Sequence, residues 1–201
     1  MDSGEGVLDA AACAVLAAVR AVRRMNPSLA RAHTRLGELA VAFAGALGLP
    51  EFETACLRWG VEIHDVGMVA IPSHILDKRG PLTRAERALV QQYPTWGYRL
   101  LSDLPVPDLI RDIVLYHREQ WDGTGYPEGR RGEAIPYLAR AASLVHAYDA
   151  MTTPREFGPA LSPGRALEVV RRGAGTQFDP VLTALFVDVP KNLLNDERAF
   201  S

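Results

Sequence analysis

Imidazole and carboxylate groups recur along this chain where a cation could gather them: His33, the adjacent pair His64 and Asp65, His117, and His146 with Asp149 one helical turn further on. Taken singly, each has an ordinary explanation. His33 suits a half-buried helix position, His146 a polar place on a core helix, and Asp149 a bond to a neighbouring helix. Taken together they are a donor set for Zn²⁺, Fe or Mn²⁺, provided that several helices converge on one point. An ion held in that way polarises a phosphoryl oxygen and turns bound water into hydroxide near neutral pH. A second concentration of functional groups lies in YHREQWDGTGYPEGRRGEAIP, residues 116–136. Its glycines and prolines exclude a helix or strand, so it is a loop that presents side chains. Arg118 directly follows His117 there and brings a fixed positive charge.

The elements that must position these groups are helices. Apolar residues recur at helical spacing in most segments, and no convincing period-two strand is found. An Ala-rich N-terminal helix ends before Pro27, and a second runs through SLARAHTRLGELAVAFAGALGL with Ser28 as its cap. EFETACLRWGVEIHDVG is a third, carrying His64 and Asp65 near its C-terminal end. Thr83 and Glu86 form a capping box that opens the next long segment, where Pro94 marks a kink or restart. VPDLIRDIVLYH leads into the loop, PYLARAASLVHAYDAMTT leaves it, and two shorter helices follow with Ser162 and Asp179 as caps. The expected architecture is one all-α bundle of about eight helices. Residues 1–27 are read as a helix packing on the core, 28–187 as the domain proper, and 188–201 as a tail.

Composition narrows the partners. With 201 residues, 48% of them hydrophobic, the chain can bury a full core. A net charge of −2 argues against polymeric nucleic acid as the main partner, while leaving room for a local basic pocket. The N-terminus starts acidic, unlike a secretory signal, and no apolar run approaches a membrane span, so a cytoplasmic protein without a membrane partner is expected. Cys13 and Cys56 lie in apolar, helix-like surroundings and read as buried free thiols.

The stretches HDVGMVAIPSHILDKRGPLT, HREQWDGTGYPEGRRGEAIP and ARAASLVHAYDAMTTPREF together resemble the HD-GYP family of bacterial cyclic di-GMP phosphodiesterases. The resemblance runs from about residue 28 to residue 187 and includes the late GTQFDP. It implies a helical HD-domain bundle with a GYP loop, a pair or trio of iron or manganese ions, and opening of a cyclic dinucleotide by metal-hydroxide attack. Residue by residue, it implies metal ligands at His33, His64 and Asp65. It also makes His117 the first of a histidine pair, places Tyr126 near the substrate, and puts Arg155 on a ligand phosphate.

Where the family pattern is broken, it is broken around the metals. The family's lysine after the HD aspartate is Met68, a histidine of the next helix is Tyr93, and the second paired histidine is Arg118. A late aspartate ligand is His146, a glutamate before the helix histidine is Leu29, and a lysine after Arg155 is Gly158. A phenol with a reference pKa of about 10 is a poor ligand at neutral pH. A guanidinium repels a cation, and a thioether is too soft for iron or manganese. One ion position has thereby lost most of its ligands. His33, His64, Asp65 and His146 could still hold a single divalent ion (Fe, Mn or Zn), or the pocket is metal-free. Arg118 either supplies a bidentate fork for phosphate or fills the former site by pairing with Glu119, Glu133 or Asp65.

Three readings follow. In the first, a degenerate HD-GYP domain in cyclic di-GMP signalling binds a ligand through Tyr126, Arg118 and Arg155, or contacts a diguanylate cyclase-type or other signalling protein. In the second, a residual phosphodiesterase or one-metal phosphohydrolase acts through His33, His64, Asp65 and His146, with His117 assisting. In the third, the helical surface serves as a homodimer scaffold.

Overall fold

The computed structural model describes residue 17 and residues 29–154 and 160–189, with the side chains of 29–34 left aside. The expected N-terminal helix with Cys13, the Ser28 cap, the His33 side chain, Arg155, Gly158 and most of the expected tail lie outside the described residues. Within them the chain is all-α, with no strand. α1 (Leu29–Leu47) and α2 (Glu51–Ile63) form an antiparallel pair, and a 3-10 turn (Val66–Ala70) leads to a single helical turn, α3 (Ser73–Leu76). α4 (Arg84–Val90), α5 (Tyr93–Ser102) and α6 (Asp108–Tyr116) precede the loop, and α7 (Tyr137–Thr152), α8 (Pro163–Arg172) and α9 (Pro180–Val187) follow it.

Local chemistry accounts for these limits. The α1 helix gives way to Gly48 at φ 65°, a conformation that glycine adopts without penalty. Thr83 and Glu86 make the expected reciprocal capping box. Pro94 sits in the first turn of α5, where its missing N–H costs nothing, so the long segment divides into two helices rather than bending once. Ser162 and Asp179 cap α8 and α9 as expected. The α2 helix is shorter than its apolar pattern suggests: it ends at Ile63, leaving His64 at its C-cap and Asp65 beyond it.

The core runs between α1, α2, α6, α7 and α9. Phe43 meets Phe186 edge-on at 4.8 Å, and Leu57, Ile113 and Leu144 are fully buried around them. No described helix is long and apolar enough to cross a membrane. The tightest approach, between the 3-10 turn and α5, positions the site. At Gly67 an added Cβ would collide with the Tyr93 carbonyl oxygen and the Gly97 backbone nitrogen. Only glycine lets the backbone carrying His64 and Asp65 reach the first turn of α5.

Candidate functional site

Two helix ends and the middle of a third helix deliver three imidazoles to one point. His64, at the end of α2, holds its Nδ1 2.7 Å from the Val61 carbonyl oxygen, so Nδ1 carries the proton and Nε2 is left facing inward. His117, at the end of α6, does the same through the carbonyls of Ile113 and Val114, at 3.1 and 3.0 Å. His146 enters from the middle of α7. Its ring centroid lies 4.7 Å from that of His64, and the His64 and His117 rings are 5.0 Å apart. Asp65 follows His64 directly and places Oδ2 3.1 Å from His64 Nε2. His64, Asp65 and His117 each offer one ligand atom, and these atoms lie within 4.8 Å of one another.

Tyr93 and Arg118 close the other side. The Tyr93 hydroxyl is 2.6 Å from His117 Nε2, and Arg118 Nε donates to the same hydroxyl at 2.7 Å. Arg118 Nη2 reaches His146 Nε2 at 3.3 Å. The guanidinium therefore bonds Tyr93 and His146 rather than Glu119 or Glu133. Glu119 is buried, and its two carboxylate oxygens accept the backbone N–H groups of Glu128, Gly129 and Arg130 at 2.8 to 3.1 Å.

Electrostatics follow from burial and from these neighbours. Burial, with the charges of His64 and Arg118 added, holds His117 and His146 well below the usual histidine range, so both rings are neutral. Burial works against ionisation of Asp65, but the adjoining His64 outweighs it and keeps the carboxyl well below the usual carboxylate range. Burial and the Asp65 charge push Tyr93 well above the ordinary phenol value, so it is a neutral hydroxyl that must donate and accept hydrogen bonds.

The donor set fits one divalent ion. Asp65 Oδ1 is a buried carboxylate oxygen without a hydrogen-bond partner. Beside it the carboxylate and an imidazole nitrogen face each other at 3.1 Å, an arrangement that a positive charge between them would satisfy. His64 and Asp65 would hold such an ion, which would supply Lewis-acid polarisation of a phosphoryl oxygen. Beside this pair stand the Tyr93 hydroxyl and the Arg118 guanidinium, a neutral donor and a fixed positive charge.

A cavity of about 340 Å³ opens next to this cluster, lined by Arg118, His117, His146, Tyr126, Ser143 and Gln177. Ala147, Ala150 and Phe178 add apolar surface to its wall. Tyr126 arrives in the cavity through the glycine loop. A side chain at Gly125 would strike the backbone of residues 118–120, and Asp122 accepts from the backbone and hydroxyl of Thr124 at 2.9 and 2.6 Å. Trp121 and Asp122 then donate to the carbonyls of Gln177 and Thr176 at 3.2 and 2.9 Å, which ties the loop to GTQFDP.

A profile of the HD domain family matches residues 18–182. A cyclic di-GMP phosphodiesterase of Pseudomonas aeruginosa is 39% identical over 152 residues, which is 74% of this chain and 36% of that protein. The cyclic di-GMP phosphodiesterase response regulator RpfG of Xanthomonas campestris is 36% identical over 151 residues, 73% of this chain and 39% of that protein. The chain is an HD-GYP member of the HD domain family. It spans well under half the length of those two relatives. A solved HD-GYP-type protein of Bdellovibrio bacteriovorus shares the fold with a TM-score of 0.66 at 20% identity, over 92% of this chain and 64% of the other.

Within this HD-GYP domain, Asp149 stands apart from the cluster and pairs with Arg35 of α1 at 3.4 Å. Met68 packs with Ile71, Ile75 and Tyr93 in a small apolar cluster, with Tyr126 against it. Sequence reasoning missed that Tyr93 caps His117, that Glu119 braces the loop, and that Ser143 and Gln177 face the cavity. Only Ser143 carried a signal, since it lies three residues before His146 and so shares its helix face.

Proposed function

We propose that this HD-GYP domain binds a cyclic dinucleotide of the cyclic di-GMP class and hydrolyses it slowly or not at all. One observation carries the reading: Arg118 stands inside the histidine cluster and binds Tyr93 and His146 while lining the adjoining cavity. In-line phosphodiester cleavage by two ions needs one cation for the nucleophile and another for the remaining oxygens. Arg118 provides fixed charge without Lewis acidity and without a bound water. Its fork is suited to phosphate oxygens, and the Tyr126 ring and the apolar wall beside it suit a nucleobase.

The test uses one purified sample for metal content, cyclic di-GMP turnover and binding calorimetry. The expected result is binding without linear dinucleotide, even after iron or manganese loading under reducing conditions, and at least tenfold weaker binding in Arg118→Ala. Fast turnover on loading, at a rate typical of a two-ion phosphodiesterase, would overturn the reading, and so would the absence of binding heat at high ligand.

A one-ion phosphohydrolase is the second reading, supported by the convergence of the His64, Asp65 and His117 ligand atoms within 4.8 Å. The ligand set expected from sequence for that reading is His33, His64, Asp65 and His146, with His117 assisting. Loss of turnover in Asp65→Asn would favour it.

A further inference from the structure

We infer that Tyr93, held in place by Arg118, caps His117 and withholds its nitrogen from any divalent ion bound at His64 and Asp65. The direction of each hydrogen bond is forced. A guanidinium can only donate, so the Tyr93 oxygen accepts from Arg118 Nε at 2.7 Å. His117 uses its Nδ1 proton on the carbonyls of Ile113 and Val114, which leaves Nε2 as an acceptor. The single hydroxyl proton of Tyr93 must therefore point at His117 Nε2, 2.6 Å away. That lone pair can take a proton donor or a metal ion, not both.

Nothing nearby offers an easy release. Tyr93 is 1% exposed and His117 3%, so water cannot replace either partner without opening the core. Turning the hydroxyl away would also strip Arg118 Nε of its acceptor. The third member of the His64, Asp65 and His117 group is thus sequestered by the chain itself, and an ion at His64 and Asp65 goes without that ligand. Tyr93 acts here as a positioning residue, through His117. The inference concerns metal affinity and stands whether or not a nucleotide binds in the cavity.

Zn²⁺ binding to the whole chain tests it. Tyr93→Phe removes the hydroxyl and keeps the Arg118 charge, so it separates the cap from simple repulsion. Calorimetry is expected to show about tenfold tighter Zn²⁺ binding in Tyr93→Phe, the equivalent of one net hydrogen bond released. Imidazole ¹⁵N spectra of the wild-type chain should show His64 Nε2 moving on Zn²⁺ addition while His117 Nε2 stays, and both moving in the variant. A folded Tyr93→Phe chain that binds Zn²⁺ no more tightly would overturn the inference. So would a wild-type His117 Nε2 signal that moves in step with His64, and that spectrum decides alone if the variant does not fold.

Discussion

Arg118 and His146 meet at 3.3 Å, guanidinium nitrogen against imidazole nitrogen, across 28 positions of sequence. With its bond to Tyr93, this one side chain engages the inward face of two different helices. Substitutions around it should therefore act in concert.

Joint replacement of Tyr93→His, Arg118→His and His146→Asp, with Met68→Lys restoring the family lysine, exchanges the Arg118 cation and the Tyr93 hydroxyl for neutral or anionic ligands. About one additional divalent ion per chain is expected after iron or manganese loading, as read by elemental analysis. No gain in a folded variant would mean that the pocket has diverged beyond these positions.

Acid should loosen this fold early. His117 and His146 are held neutral in the folded chain, below the ordinary value of 6.5 that unfolding restores. The unfolded chain binds more protons below about pH 6.5, so stability is full above that value and declines as pH falls towards the depressed folded-state values. The urea midpoint should drop between pH 7 and pH 5, and His146→Leu should flatten that slope by roughly one proton. A wild-type midpoint that stays level over this range would contradict the neutral cluster.

Glu119→Gln preserves shape but turns an amide NH₂ towards backbone donors that now meet a carboxylate. The cost should be roughly 2–3 kcal/mol by urea denaturation, with faster amide exchange at residues 128–130. Unchanged exchange there would show that the turns alone hold the loop.

Gly67→Ala forces a methyl group against the backbone of α5, where no flexible side chain can yield. A loss of about 3 kcal/mol or more is expected in thermal or chemical unfolding. A near-neutral effect would mean that the 3-10 turn can lift away from Tyr93 freely.

The helices were legible because their ends carry local signals: the Thr83–Glu86 box, the Ser162 and Asp179 caps, and prolines between segments. The end of α2 was read too late, since the apolar pattern continues through Val66 while the backbone has already tightened into a 3-10 turn. The gathering of His64, Asp65 and His117 followed family resemblance, because spacing alone cannot bring residues 64 and 117 together. The pairing of Arg118 was beyond reach. Glu119, Glu133 and Asp65 had equal claims as sequence neighbours or charges, and the choice fell to the Tyr93 hydroxyl on another helix, which only the fold brings within reach.

Because Glu119 gathers three successive amides and the 121–122 backbone is stitched to 176–177, the loop bearing Tyr126 takes its shape during folding rather than on encounter with a ligand. An incoming molecule then meets a ready surface and loses little loop entropy. Association should proceed in a single kinetic phase, with a heat-capacity change set by desolvation of the cavity rather than by ordering of the chain.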